Sequence, residues 1–155
     1  MIDYSLIKLI PADETCKELS YQVKKAAEGE YITLMFGWDE DVQRDFHAKA
    51  WQRQKPDIIT YDGKLIGTIA TIESEYRIEI GQFFILPEYQ NRGIGTHLLK
   101  DILDKADHLG RNVTLKFLKN NPVKSLYLRN GFRIVDTDEI LHYMERKLGG
   151  SNDSL

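Results

Sequence analysis

The amino-acid sequence predicts one domain of the α/β (α+β) class, built on a mixed, largely antiparallel sheet with helices on both faces. The chain has 155 residues, the usual size of a single domain. Runs rich in β-branched and aromatic residues alternate with segments of helical periodicity. An Asp-Gly pair at positions 62–63 separates two β-rich runs, which is typical of a two-residue hairpin. Together these features predict the order β-α-α-β-β-β-α-β-α-β-β.

The first half of the chain contains a strand, two helices and the hairpin. Residues 5–10 form the first predicted strand, and the next segment, 12–27, is amphipathic because apolar residues recur every three or four positions at Cys16, Leu19, Val23 and Ala27. A second helix follows in residues 39–54, with Asp39 as its N-cap and with Val42, Phe46 and Ala50 on one face.

The second half begins with a β-rich strand that ends at Pro87. A helix from about Gly93 to His108 follows, and its predicted buried stripe is Leu98, Leu99, Ile102, Leu103, Ala106 and Leu109. The remaining predicted elements are a strand at 112–118, a short helix around 123–130, and strands at 132–136 and 139–148. We expect the domain to cover residues 1–148 and the tail, residues 149–155, to be disordered.

Composition and charge exclude several classes of protein. The net charge is −3 and lysine and arginine are scattered, so no basic stripe predicts binding to nucleic acid. No run approaches the roughly 18 consecutive apolar residues of a membrane span. The amino terminus has no basic region before an apolar core, and Cys16 is the single cysteine, so a cytoplasmic protein is expected. The four histidines have no metal-ligand spacing, and no metal is expected.

Two glycines, Gly93 and Gly95, stand at the predicted start of a helix in the segment QNRGIG. A helix start presents unpaired N–H groups and partial positive charge, and glycines let a phosphate approach the backbone closely. A tight turn between strand and helix is the alternative explanation. The dinucleotide and Walker patterns are both excluded, because His97 and Leu98 stand where those motifs require other residues.

Two motifs resemble the GNAT superfamily of acetyl-CoA-dependent N-acetyltransferases. Residues 90–95 are similar to its Q/R-x-x-G-x-G/A pyrophosphate loop, and they follow a strand that ends in Leu86-Pro87. Residues 120–132 are similar to its N-x-x-A-x-x-L-Y-x-x-x-G-F segment, although Val123 stands where the family usually has alanine. The resemblance is clear over residues 57–147, and before them only the order of elements matches.

The resemblance implies that acetyl-CoA is the acyl donor and that its pyrophosphate binds the loop. The implied loop residues are Gln90, Asn91, Arg92, Gly93, Ile94, Gly95 and Thr96. Backbone groups of Phe84, Ile85 and Leu86 would bond the pantetheine arm, and one amide there would polarise the acetyl oxygen. Gly81 indicates a bulge or a close approach, which would help to splay the central strands and open the cofactor slot.

The resemblance also assigns catalytic roles. Tyr127 would be the general acid that protonates the departing thiolate, and it would also contact the cofactor; packing of its ring on an amphipathic helix is the alternative. Asn120 would bond the pantetheine or order a water, or else cap the following helix. Glu79 stands eleven residues before Gln90, as does the general base of some histone-type relatives. Its alternative is an outward-facing position on the strand, and Glu73 and Glu75 are reserve candidates.

The acceptor is expected to be a primary amine of a small molecule or a peptide. The acidic run at residues 38–41 could attract a cationic amine, but a capped and solvated helix end explains it as well. A non-catalytic acyl-CoA-binding or regulatory module of the same fold is the alternative function. The sequence leaves the oligomeric state open, and a homodimer is one expectation.

Overall fold

The computed structural model of the chain describes residues 1–150. The last five residues of the predicted tail lie outside this range, whereas residues 149–150 close a short 3₁₀ turn, Leu148–Gly150. The helices are α1 (Lys17–Phe36), α2 (Glu40–Arg53), α3 (Ile94–Leu109) and α4 (Lys124–Arg129). The strands are β1 (Ile7–Pro11), β2 (Asp57–Tyr61), β3 (Lys64–Glu73), β4 (Arg77–Ile85), β5 (Asn112–Leu118), β6 (Arg133–Thr137) and β7 (Leu141–Arg146). The predicted order of elements is confirmed.

The strands form one seven-stranded sheet in the order β1-β2-β3-β4-β5-β7-β6. The pairs β1–β2, β2–β3, β5–β7 and β6–β7 are antiparallel, and β4–β5 is parallel. The parallel ladder runs from the pair Arg77–Asn112 to the pair Glu79–Thr114. The predicted mixed, largely antiparallel sheet is therefore confirmed.

The chain forms two compact units, and the first comprises Met1–Thr71 and Gln82–Arg92. Its hairpin is the one that the sequence predicts, because Asp62 and Gly63 have φ values of 49° and 80° between β2 and β3. Its core contains side chains from both helices and from the strands, namely Tyr21, Val23, Ile32, Trp51, Ile58, Ile59, Ile66, Ile69 and Ala70.

The second unit comprises Ile72–Gly81 and the residues from Gly93 onward. Helix α3 buries Leu98, Leu99, Leu103 and Ala106 of the predicted stripe, whereas Ile102 is half-buried and Leu109 is 40% exposed at the end of the helix, next to the left-handed Gly110. The core side chains of this unit include Ile78, Ile80, Leu98, Leu99, Leu103, Val113, Leu115, Phe132 and Met144. At the end of the sheet, the pairing of β6 with β7 shifts register between Ile134 and Asp136, which leaves Val135 as a bulge.

Helix α2 begins at the predicted N-cap, since Asp39 Oδ1 accepts a hydrogen bond from the Val42 amide at 3.1 Å. Its apolar face, however, is not the buried one: Val42 and Phe46 are 44% and 53% exposed. The buried stripe is instead Gln43, His47 and Trp51. This polar stripe can be buried because helix α1 supplies partners to it, as the 3.0 Å hydrogen bond between the Ser20 hydroxyl and His47 Nε2 shows.

Candidate active site

The first part of the glycine loop belongs to the first unit and follows a 3₁₀ turn, Pro87–Tyr89. The Gln90 side chain folds back, so that its Nε2 donates to the Ile85 carbonyl at 2.8 Å. Asn91 has a φ of 61°, a left-handed conformation that asparagine tolerates better than most residues. The Arg92 carbonyl accepts a hydrogen bond from the Tyr4 hydroxyl at 2.8 Å, so contacts within the unit hold this part of the loop in place.

The second part of the loop belongs to the second unit and starts helix α3. Gly93 is the N-cap, with a left-handed φ of 82°, and its carbonyl accepts the His97 amide at 3.0 Å. No side chain caps this end of the helix. Ile94 and Gly95 are buried and anchor the first turn, whereas Gly93 and Thr96 are exposed. A helix start without a side-chain cap presents N–H groups that have no partner within the helix, which is an arrangement that favours an anion.

The segment 84–86 closes β4 in the first unit and is half-buried. The Leu86 amide donates to the Ile66 carbonyl at 2.8 Å. The Phe84 carbonyl lies so close to Gly67 that a side-chain carbon at position 67 would overlap it. Glycine is therefore required at position 67, because the backbones of β3 and β4 approach each other more closely there than any larger residue allows.

The irregularity expected at Gly81 falls one residue later. Gly81 has a negative φ and open space around it, whereas Gln82 has a φ of 46°. The Gln82 side chain reaches the end of α2, where Nε2 lies 2.7 Å from the Gln54 carbonyl and 3.4 Å from the Ala50 carbonyl. The sequence gives no signal for this residue beyond the glycine that precedes it.

Tyr127 lies on α4 and is 5% exposed. Its ring packs between Phe117 and Phe132, at centroid distances of 5.6 Å and 5.5 Å. The packed aromatic ring that sequence analysis offers as an alternative is therefore present. Packing of the Tyr127 ring does not conflict with a chemical role for its hydroxyl oxygen, because the ring contacts do not involve that oxygen.

Asn120 is exposed in the turn that precedes α4. The side chain that supports the start of this helix belongs to the next residue: Asn121 Oδ1 accepts a hydrogen bond from the Val123 amide at 3.0 Å. The N-cap of α4 is Val123 and no side chain caps it, so Asn121 holds the turn before the helix and does not cap the helix itself.

Glu79 is a half-buried residue of β4, paired in register with Thr114 of β5. Its neighbours Ile78 and Ile80 are 1% and 4% exposed, so the strand alternates as predicted. Of the two reserve candidates, Glu73 forms an ion pair with Lys105, and Glu75 is exposed.

The acidic run at the start of α2 is engaged within the first unit. Glu40 accepts hydrogen bonds from the Tyr21 hydroxyl at 2.6 Å, from Trp38 Nε1 at 2.9 Å and from Lys25 Nζ at 2.9 Å. These bonds, with that of Tyr21 the strongest, lower the pKa of Glu40 to about 2. A carboxylate with so many partners serves the packing of α1 on α2, which agrees with the capped helix end considered above.

Among residues 1–150, no group of three or more histidine, cysteine, aspartate or glutamate side chains could hold a metal ion. Within the same residues, no helix combines the length and the apolar character that crossing a membrane requires.

The chain belongs to the Acetyltransferase (GNAT) family, whose profile matches residues 21–132. The protein is therefore a GNAT acetyltransferase, and acetyl-CoA is its acyl donor. The sequence has no match among curated proteins.

Solved structures share the fold. PaiA N-acetyltransferase from Thermoplasma acidophilum, solved in complex with coenzyme A, is 21% identical, with a TM-score of 0.70 over 91% of this chain and 98% of that one. The ribosomal-protein-S18-alanine N-acetyltransferase from Escherichia coli is 19% identical, with a TM-score of 0.67 over 96% and 98%. Arabidopsis thaliana Naa50, in complex with the bisubstrate analogue CoA-Ac-MVNAL, is 19% identical, with a TM-score of 0.62 over 92% and 99%.

Proposed function

We propose that the protein transfers the acetyl group of acetyl-CoA directly to a primary amine of a small molecule or a peptide, in the cytoplasm. The observation that carries the proposal is the loop at residues 90–96, with its two left-handed residues and its helix start without a side-chain cap. A peptide acceptor is supported by two similar structures, the ribosomal-protein-S18-alanine N-acetyltransferase and Naa50 in complex with the bisubstrate analogue CoA-Ac-MVNAL.

In the proposed reaction, the neutral amine nitrogen attacks the thioester carbon and forms a tetrahedral intermediate. A main-chain amide of residues 84–86 polarises the acetyl oxygen, and Glu79 takes the proton of the amine through a water. The carbon–sulfur bond then breaks, and the thiolate takes its proton from the Tyr127 hydroxyl. Because an ordinary tyrosine pKa near 10 lies above a thiol pKa near 8.5, this last transfer is uphill by about 2 kcal/mol, and Tyr127 then regains its proton from solvent. Asn120 would bond the pantetheine arm.

Binding of the donor is tested by replacing Gly93 with aspartate. We expect Gly93→Asp to abolish binding of coenzyme A in calorimetry, because the new carboxylate would occupy the place of the pyrophosphate and repel it. Gly110→Asp is the matched control, since Gly110 ends the same helix with a φ of 72° and open space around it. A folded Gly93→Asp variant that binds as tightly as the Gly110→Asp variant would refute the assignment of the loop.

The acceptor is tested with a panel of small amines and of peptides with free amino termini. Release of the coenzyme A thiol, measured with each amine, identifies the class, and the Gly93→Asp variant gives the background rate. Turnover with none of the panel, in a protein that binds acetyl-CoA, would refute the proposed acceptor class.

A further inference from the structure

Gln82 occupies a conformation that costs free energy. Its φ of 46° lies in the left-handed region, where residues other than glycine, asparagine and aspartate are uncommon. It stands on β4 directly before residues 83–86, which include the segment proposed to bind the pantetheine arm. A glycine would adopt this conformation without strain, so the presence of glutamine calls for a compensating interaction.

The side chain supplies that interaction at the end of helix α2. Its Nε2 donates at 2.7 Å to the carbonyl of Gln54, the C-cap residue, and lies 3.4 Å from the carbonyl of Ala50 in the last turn. The opposite orientation of the amide would point Oε1 at these carbonyls, which is unfavourable. Oε1 is itself buried and has no hydrogen-bond partner within residues 1–150, a second cost that packing alone does not explain.

The main chain of Gln82 is held from the other side. The hydroxyl of Thr68, which is fully buried on β3, donates to the Gln82 carbonyl at 2.7 Å. Further along, the Leu86 amide bonds to Ile66, and the Gln90 side chain bonds to the Ile85 carbonyl. Residues 83–85 are therefore bracketed by fixed points on the first unit at both ends.

We propose that Gln82 is a positioning residue for acetyl transfer. Its side chain ties the strained backbone at position 82 to the end of α2 and so fixes the main chain of residues 83–86. This proposal rests on the function proposed above for residues 84–86. The main-chain amide that polarises the acetyl oxygen must be placed to within a fraction of an ångström, because misplacement of a catalytic group by about 1 Å can cost about a hundredfold in rate. The strain and the buried oxygen at Gln82 are the costs of that placement.

The test compares Gln82→Gly, which removes the clamp and relieves the strain, with Asp62→Gly as a matched control. Asp62 also has a left-handed φ, 49°, but lies in the β2–β3 hairpin. We expect kcat of Gln82→Gly to fall at least about tenfold, with the Kd of coenzyme A within about threefold of the parent value. Hydrogen exchange of the peptide that contains residues 83–86 should become faster in Gln82→Gly and stay unchanged in Asp62→Gly.

A folded Gln82→Gly variant whose kcat and hydrogen exchange match those of Asp62→Gly would overturn the role of Gln82. If Gln82→Gly does not fold, Thr68→Val makes the same test from the other side of the clamp, because valine keeps the shape of threonine and removes its hydroxyl. Thr68→Val should then lower kcat by a similar factor, and an unchanged kcat would overturn the proposal. A parent protein that does not bind acetyl-CoA would instead refute the proposed function.

Discussion

Tyr127 combines a tightly packed ring with a hydroxyl to which we assign a chemical role, and these two functions can be separated. We expect Tyr127→Phe to keep the fold, because the ring contacts with Phe117 and Phe132 do not involve the oxygen. Loss of the general acid should lower kcat by about a hundredfold or more. The Kd of coenzyme A should change little, because the thiolate develops charge only as the intermediate collapses.

The matched control is Tyr143→Phe. Tyr143 lies on β7, and its hydroxyl donates to Asp138 at 2.9 Å. This control should keep the parent kcat. Thermal unfolding of both variants separates chemistry from stability. A Tyr127→Phe variant with the parent kcat, or one whose loss of activity follows a loss of folded protein, would leave Tyr127 as a packing residue.

At the residue scale, the sequence predicts the backbone of the loop, a turn followed by a helix start, better than it predicts the side-chain contacts around it. The loop at residues 90–96 is predictable because a helix start with glycines has only a few physical uses. The roles of Gln82 and Asn121 are not predictable, because a glutamine in a strand and the second of two adjacent asparagines carry no local signal. Gln82 acts through partners that the tertiary fold supplies, the carbonyls at the end of α2, whereas Asn121 bonds the amide of Val123 two residues further along the chain.

At the element scale, α3 and β7 are joined by the pair Asp107–Arg146. Arg146 is 7% exposed and bonds both oxygens of Asp107, at 2.8 Å and 3.0 Å. The Gly149 amide adds a third bond, at 2.9 Å. The Arg146 guanidinium beside it is the main cause that lowers the pKa of Asp107 below its ordinary value of 3.8. The pair therefore contributes stability above about pH 4, and this contribution is lost as the pH falls through the lowered pKa.

We predict that Asp107→Asn lowers the free energy of unfolding by about 1.5 kcal/mol at pH 7, because Arg146 is buried and loses its counter-charge, while the Asp107 side chain is 36% exposed and partly screened by solvent. Urea denaturation measures this loss. Asp45→Asn, which breaks the exposed pair Lys49–Asp45, should cost less than about 0.5 kcal/mol. The difference in the free energy of unfolding between Asp107→Asn and the parent should become smaller below pH 4. A loss as small as that of Asp45→Asn would show that the pair contributes no more than a surface contact.

The faces of the helices differ in how well the sequence predicts them. The stripe of α3 is predicted almost completely, because one continuous set of leucines marks it. The buried face of α2 is predicted wrongly, because Val42 and Phe46 are more apolar than Gln43 and His47 and yet are exposed. Periodicity identifies a helix, but which face is buried depends on the partner, and here α1 offers a hydroxyl and aromatic rings: Tyr21 meets His47 edge to face at 5.5 Å.

At the scale of the whole molecule, buried His47 makes stability depend on pH. The pKa of His47 is lowered from 6.5 to about 4, mainly by burial and further by the positive charges of Lys24, Lys17 and Arg44. The negative charge of Glu18 acts in the opposite direction and raises this pKa. Between these two values the unfolded chain binds a proton that the folded protein excludes. The contribution of neutral His47 is therefore complete above pH 6.5 and is lost progressively as the pH falls towards 4.

We predict that acidification from pH 7 to pH 5 lowers the free energy of unfolding of the parent by about 2 kcal/mol more than that of His47→Gln. Urea denaturation at the two pH values measures the difference. The control is His108→Gln, which removes an exposed histidine of α3; its free energy of unfolding should fall by as much as that of the parent between pH 7 and pH 5. Equal slopes for the parent and His47→Gln would show that the imidazole titrates alike in the folded and unfolded chain.

The order of elements and the sheet class follow from the sequence, because hairpin, helix and strand signals are local and strong. Helix α1 runs to Phe36, nine residues past the predicted end at Ala27. The prediction stops early because residues 28–36 lack a regular apolar stripe. Its end is nevertheless encoded by Gly37, whose φ of 78° stops the helix. The extension is a consequence of tertiary packing, as buried Ile32 indicates.

The bulge at Val135 affects how readily the edge of the sheet pairs with strands of other molecules. Strand β6 ends the sheet, and all five of its residues are exposed, so its outer edge offers unpaired backbone groups to any extended chain nearby. A bulge puts these groups out of step with a regular incoming strand, and the flanking Arg133 and Asp136 would have to lose water on contact. Growth of the sheet into an aggregate is thereby discouraged at this edge by the shape of the backbone itself.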